Sequence, residues 1–202
     1  MNRILKELEH HAPFTAFGAL TGIILMVVFR DMPHEVEHKL FYIFHPLHVV
    51  LSAVVTTAMY KIYQCGARGK CRILPLVLVG YAGAVGIATL SDSLIPFVGE
   101  SLLGLPHAHV HAGFIEEWYI VNPAAFLGIA IGYFWPRTKF PHAGHVLIST
   151  WASLFHVMMA LGDETTLFVY AGIFVFLFIS VWLPCCVSDI IFPLLFVKEK
   201  RS

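Results

Sequence analysis

Charged side chains are scarce in this sequence. Asp, Glu, Lys and Arg make up 13% of its 202 residues, whereas roughly a quarter is usual in soluble domains. Apolar residues make up 58%, and a soluble domain of this composition would expose large apolar patches and aggregate. Neither sign of charge is in excess, because 13 basic residues balance 13 acidic ones, which argues against a nucleic-acid partner. We therefore expect an integral membrane protein with a single membrane domain over residues 1–202, in contact with lipid.

Apolar stretches that approach the length of a membrane-spanning helix, about 17–25 residues, occur six times. Six spans place both termini on the same side of the membrane. Eleven of the 13 Lys and Arg residues fall on that side, and the positive-inside rule makes it the cytoplasmic side of an inner or plasma membrane. Acidic residues, Glu100 among them, map mainly to the outer loops. The predicted spans are residues 14–29, 45–63, 73–98, 119–135, 142–161 and 166–197.

Cysteine is also scarce, with four residues in the chain, which excludes a disulfide-rich scaffold. Cys65 and Cys71 fall in a loop that we assign to the cytoplasm, where we expect their thiols to stay reduced. Cys185 and Cys186 lie in the sixth predicted span. We treat all four as structural residues or palmitoylation candidates.

The chain contains an internal repeat. The second and fifth spans share the pattern His-x-x-His-Val-x-x-Ser, and the third and sixth share Ser-Asp followed by three residues and Pro. The first and fourth spans match at a different offset, through Pro13, Gly18 and Gly22 against Pro123, Gly128 and Gly132. The pairs related by one offset of 97 residues are His45/His142, His48/His145, Val49/Val146, Ser52/Ser149, Ser91/Ser188, Asp92/Asp189 and Pro96/Pro193.

A duplicated unit of three helices inserts its second copy upside down, which is an architecture typical of transporters. We therefore predict an all-α fold of six transmembrane helices arranged as two inverted three-helix repeats. The first repeat covers about residues 10–98 and the second about residues 117–197, with an outer loop of about residues 99–116 between them.

Ionisable residues within a membrane span indicate a functional site. His45 and His48 share one helix face, and Asp92 lies at the same outer depth on the next helix. His142, His145 and Asp189 form the mirrored set at the cytoplasmic depth, and Ser91 and Ser188 precede the two aspartates. Two imidazoles and a carboxylate suit zinc, iron, manganese, nickel or cobalt. The alternatives are a proton relay and histidines that only bond neighbouring helices together.

A second concentration of histidine precedes the fourth span, where His107, His109 and His111 alternate along the chain. In extended backbone their rings face one side, and Glu116 and Glu117 follow shortly after. This segment is a candidate metal-gathering loop or third metal site, with a solvated loop as the alternative. His156 lies within the fifth span where the first repeat has Met59, and we interpret it as a core residue bonded to a backbone carbonyl in preference to a residue on the ion path.

Three functions are consistent with these patterns. A divalent-metal transporter is favoured, because it explains the repeat, the mirrored His and Asp sets, and the acidic, His-rich outer face. A membrane-embedded metalloenzyme would use the outer histidines with Glu116 or Glu117 as base. A haem b electron carrier needs one histidine from each of two helices at matched depth, whereas each level here offers both from one helix. A structural membrane subunit and a homo-oligomer are left open.

Overall fold

The computed structural model describes residues 2–137, 139–162, 166–186 and 191–197, with the side chains of residues 2–8, 10, 11, 139–143 and 186 outside the description. The described residues form helices and no strands, as expected for an all-α protein. The elements are α1 (Asn2–Val28), α2 (His34–Cys65), α3 (Ile73–Thr89), a π-helical turn (Leu90–Leu94), α4 (Ile95–Leu102), α5 (Gly113–Glu116), α6 (Trp118–Phe134), α7 (Lys139–Ala160), α8 (Leu167–Cys186) and α9 (Phe192–Leu195).

Three of the described helical segments are long and apolar enough to cross a membrane: His34–Cys65, Ile73–Leu102 and Leu167–Cys185. Three further apolar helices, Ala12–Val28, Trp118–Phe134 and Gly144–Ala160, are shorter. Large apolar side chains are exposed along these elements, among them Phe17, Leu78, Leu127, Phe168 and Val175. An exposed apolar surface of this kind is stable in lipid and not in water. The protein is therefore assigned to the membrane.

Helix α2 lies at the centre of the fold, packed against α3, α6 and α7, while α1 packs against α7 and α8. One apolar cluster forms where α2 meets α3 and α6, around Val49, Leu76 and Ile129. A second forms where α7 meets α1 and α8, around Leu154 and Leu177. Polar side chains of α2 and α7 are buried between the two apolar clusters, including His45, His48, Ser149, Ser153 and His156.

Glycines allow the helices to approach closely. A Cβ atom on Gly18 of α1 would lie 3.0 Å from Oγ1 of Thr150 on α7, and one on Gly128 of α6 would lie 2.6 Å from Cβ of Ala53 on α2. Contacts this short between real side chains are avoided, so the two helix pairs reach this separation because glycine has no side chain. Small residues at such positions are the usual means by which helices pack in a bilayer.

The loop between α2 and α3 differs from expectation. Cys65 and Cys71, which we expected to be reduced, form a disulfide with Cα atoms 5.6 Å apart. The bond forms because Gly66, with a φ of 79°, ends α2 and turns the chain back toward α3. A disulfide favours an oxidising compartment, whereas Arg68, Lys70 and Arg72 in the same loop favour the cytoplasm.

We expect Gly128→Ala to destabilise the protein by about 1–3 kcal/mol, because the added methyl group forces α6 away from α2. Gly86→Ala is the matched control, because among the described residues no atom outside the backbone of α3 lies within 4 Å of a Cβ built on Gly86. That substitution gains helix propensity of about 1 kcal/mol. Thermal unfolding of the detergent-purified variants measures both effects. Equal midpoints for the two variants would contradict the proposed packing.

Candidate metal centre

The π-helical turn that follows α3 positions three consecutive polar residues. Ser91, Asp92 and Ser93 are all fully buried within it. A π-helical turn holds one more residue than a normal helical turn and commonly occurs at functional sites. The Asp92 carboxylate is directed at α2, and the Ser93 hydroxyl is directed at α7. The turn therefore connects the two central helices through polar side chains.

Both carboxylate oxygens of Asp92 are engaged. Oδ2 accepts hydrogen bonds from Nδ1 of His45 at 2.9 Å and from Nδ1 of His48 at 2.6 Å. Oδ1 accepts from the hydroxyls of Ser91 at 2.7 Å and Ser149 at 3.0 Å. Each Nδ1–H group donates a hydrogen bond to the carboxylate. In its neutral form, each imidazole therefore carries its free lone pair on Nε2. Asp92 thus orients two histidines so that Nε2 can bind a metal ion.

The lone pair of His48 faces the second half of the chain. Its Nε2 lies 2.5 Å from Nε2 of His145 on α7, and the two rings stack with centroids 4.5 Å apart. Sγ of Cys185 lies within 4.8 Å of both histidine ligand atoms, and all three residues are buried. This group can hold a metal ion, because imidazole and thiolate are the ligands of typical zinc sites.

The spacing of the two imidazoles is shorter than that of two ligands on one metal ion. Metal–nitrogen bonds of 2.0–2.1 Å in a tetrahedral site separate the nitrogens by about 3.3 Å. An ion between the two rings would therefore require them to separate by roughly 1 Å. At 2.5 Å the two Nε2 atoms are within hydrogen-bonding distance of each other. We refer to His45, His48, Asp92, His145 and Cys185 as the central cluster.

The arrangement of the two mirrored sets differs from the one expected. The sequence separates them by depth, but the structure brings His48 of one set into contact with His145 of the other. Ser149, the counterpart of Ser52, donates across to Asp92. Ser188 and Asp189 lie outside the described residues, as does the side chain of His142, whose backbone lies in the first turn of α7.

One member of the central cluster was missed from the sequence. Cys185 was treated as structural, although its position four residues before Asp189 in a span is a signal that could have included it. His45 has an Nε2 atom that is buried and has no hydrogen-bond partner among the described residues. Because Nδ1 of His45 is bonded to Asp92, Nε2 is the ring nitrogen of His45 that can bind a metal ion.

His156 and Glu100 correct two expectations. Glu100 was assigned to an outer loop, but it lies in α4 with 1% of its surface exposed, because α4 continues the helical path of α3. His156 was interpreted as bonded to a backbone carbonyl, but its Nδ1 donates to Oε1 of Glu100 at 2.7 Å. Its Nε2 lies 3.2 Å from the hydroxyl of Ser93. The pair therefore forms a second buried polar group beside the central cluster.

The histidines of the outer segment line a cavity of about 1200 Å³, which we call the vestibule. Residues 105–112 are not helical, and the rings of His109 and His111 lie 5.1 Å apart. Glu117 precedes α6 and does not line the cavity. The residues that line the vestibule include Asp31, Met32, His34, Glu37, His107, His109, His111, Met158 and Met159.

Glu116 is held at the edge of this group. Its carboxylate accepts hydrogen bonds from the Tyr42 hydroxyl at 2.5 Å and the Ala112 amide at 3.0 Å, and it lies 3.2 Å from Nδ1 of His111. Burial raises the pKa of Glu116, but the bond from Tyr42 and the other hydrogen bonds lower it overall. Burial and the neighbouring His156 lower the pKa of His111. A neutral His111 ring is competent to bind metal.

No family model, curated protein or solved structure matches the chain. The geometry of the site is therefore the guide to its chemistry. That geometry combines a thiol, imidazoles braced by a carboxylate, and a cavity with imidazole, thioether and carboxylate side chains on its wall.

We expect Asp92→Asn to weaken Co²⁺ or Zn²⁺ binding by about 10–100-fold, because it removes the carboxylate that orients His45 and His48. The matched control is Glu35→Gln, which changes an exposed carboxylate on α2 that does not line the vestibule. Equilibrium titration of the purified variants measures the affinity. Unchanged affinity in Asp92→Asn would show that this carboxylate does not support the ligands.

Proposed function

We propose that this chain is an integral membrane transporter for a divalent transition-metal ion, which binds at the central cluster during passage. One observation carries the proposal: His48 and His145, which are equivalent in the internal repeat, meet at the centre of the fold beside Cys185. A site shared by both halves of a repeat is where transporters bind their substrates. A buried cluster with a carboxylate at its core also favours a cationic occupant.

Equivalent helix contacts support two repeats. Gly18 approaches Thr150, and its counterpart Gly128 approaches Ala53, which is the repeat equivalent of Thr150. In a repeat of inverted topology, each contact recurs in this way with the two halves exchanged. Gly22 likewise approaches Leu154, and its counterpart Gly132 approaches Thr57, the equivalent of Leu154.

In the proposed topology all six apolar helices cross the bilayer. The shorter helices, such as Trp118–Phe134 with 17 residues, rise about 25 Å at 1.5 Å per residue, which is near the lower limit for a span. The distribution of Lys and Arg then places both termini in the cytoplasm, and the vestibule opens to the outside. The disulfide of Cys65 and Cys71 opposes this orientation. We propose the orientation nevertheless, because eleven of the 13 basic residues lie on the side assigned to the cytoplasm.

The ligands of the central cluster narrow the choice of ion. The sequence alone allows zinc, iron, manganese, nickel or cobalt. Inclusion of the Cys185 thiolate with two imidazoles favours a borderline-soft ion such as Zn²⁺ or Co²⁺ over Mn²⁺, which prefers oxygen ligands. In the proposed cycle, the ion reaches His48 and His145 from the vestibule and leaves on the cytoplasmic side when the two repeats rock against each other.

The geometry disfavours the other two functions. A haem iron between His48 and His145 needs its axial nitrogens about 4 Å apart, with the porphyrin between the rings, whereas these rings stack against each other. An enzyme at the outer histidines needs Glu116 or Glu117 as a base. The Glu116 carboxylate already accepts hydrogen bonds from Tyr42 and Ala112, and Glu117 does not line the cavity that these histidines line. Transport is therefore the function that the arrangement favours.

We expect His48→Ala and His145→Ala each to reduce Zn²⁺ uptake into proteoliposomes by more than about tenfold, because each removes one ligand of the shared site. The control is His38→Ala, which removes an exposed imidazole from the same helix as His48 and should leave uptake within about twofold of the unmodified protein. A fluorescent zinc indicator inside the vesicles measures the rate. Uptake that persists in both variants would exclude the central cluster from the transport path.

A further inference from the structure

Glu100 and His156 form a buried ionisable pair that the central cluster does not use. Each has 1% of its surface exposed, and they are joined by a hydrogen bond of 2.7 Å between helices α4 and α7. The imidazole is the hydrogen-bond partner of this carboxylate among the described side chains, and Oε2 of Glu100 is buried without a partner there. A buried carboxylate with one unengaged oxygen is costly unless a cation completes its environment.

The pair is absent from the other half of the internal repeat. At the offset of 97 residues, Met59 corresponds to His156 and Val197 corresponds to Glu100. The other half thus carries apolar residues at both positions, Met59 on α2 and Val197 after the end of α9. The ionisable pair is therefore not required for packing, and a functional role explains its presence better than a structural one.

The surroundings of the pair connect the vestibule with the central cluster. The ring of His111, which lines the vestibule, lies 5.2 Å from the ring of His156. The Ser93 hydroxyl lies 3.2 Å from Nε2 of His156 and accepts the backbone N–H of His111 at 2.9 Å. On the inner side, Ser93 is adjacent to Asp92. The pair thus lies between the outer histidines and the Asp92 carboxylate.

Phe41 separates this region from the rest of the path. Its ring is fully buried, stacks on His45 at 5.3 Å and meets the edge of His156 at 5.4 Å. It also contacts His111, with centroids 5.9 Å apart. An ion at Glu100 and His156 is thus divided from the central cluster by an apolar ring, which makes two separate binding positions more consistent with the geometry than one enlarged site.

We infer that Glu100 and His156 form a second binding site for a divalent transition-metal ion, located between the vestibule and the central cluster. The inference deepens the proposed function, since it adds a position on the same path. The Glu100 carboxylate and Nδ1 of His156, which are in contact at 2.7 Å, supply the protein ligands, the ion taking the place of the proton between them, while Nε2 of His156 keeps its contact with the hydroxyl of Ser93. These ligands are oxygen and nitrogen only, so the site holds Zn²⁺ or Co²⁺ less tightly than one that includes a thiolate.

Titration of the purified full-length protein with Co²⁺ distinguishes the two sites. A thiolate ligand gives a sulfur-to-cobalt charge-transfer band, which a site with only oxygen and nitrogen ligands lacks. We expect two Co²⁺ ions per chain in the unmodified protein. Glu100→Gln should bind one ion and keep the band, whereas Cys185→Ser should lose the band and keep the ion at Glu100.

His156→Met serves as the second variant, because it installs the residue that the other repeat carries at Met59. It should also bind one ion and keep the band. Glu35→Gln, which changes an exposed carboxylate on α2, should bind two ions as the control. The retained charge-transfer band reports that the variants are folded.

Two results would overturn the second site: a stoichiometry of one ion in an unmodified protein that shows the charge-transfer band, or an unchanged stoichiometry in both Glu100→Gln and His156→Met. Loss of one ion in those variants in a protein that never shows the charge-transfer band supports the second site while removing the central cluster from the proposed function. The two proposals therefore fail separately in the same experiment.

Discussion

The buried carboxylate of Asp92 is the constraint around which the polar interior is arranged. An isolated carboxylate in a low-dielectric interior is strongly unfavourable. Here it accepts hydrogen bonds from two imidazoles and two hydroxyls, which come from three different elements. The same bonds fix the proton of each imidazole on Nδ1 and leave Nε2 directed inward. The stability of the carboxylate and the metal-binding capacity of the histidines are thus consequences of one arrangement.

Close packing of small residues makes this arrangement compatible with a membrane. Gly18 and Gly128 let α1 and α6 approach the central helices α7 and α2, and the large apolar side chains then face outward. The buried interface between α2 and α7 is left for polar side chains. Because the two helices carry the same His-x-x-His pattern, their contact brings two copies of one ligand set together. His156 and Glu100 break the repeat, because the equivalent positions in the other half are Met59 and Val197. Only one half of the interior therefore carries this ionisable pair.

The sequence predicts the parts of this account that depend on composition and periodicity. The all-α fold, the helical regions, and the placement of His45, His48 and Asp92 on adjacent helices follow from apolar stretches and from the repeat. The contact between His48 and His145 was not predicted from the sequence, because the depth of a residue along its helix does not determine where two helices cross. Burial of Glu100 was missed because the π-helical turn lets the helix continue past Pro96. The disulfide of Cys65 depends on the turn at Gly66, which spacing alone does not specify.

The most direct test of the central claim is X-ray absorption at the zinc edge of the zinc-loaded protein. With Zn²⁺ at His48, His145 and Cys185, the spectrum should contain one sulfur at about 2.3 Å and imidazole nitrogens at about 2.0–2.1 Å. Cys185→Ser should remove the sulfur and keep the imidazole scattering. A first shell of oxygen atoms alone, unchanged in Cys185→Ser, would contradict the assignment of the central cluster as the metal centre.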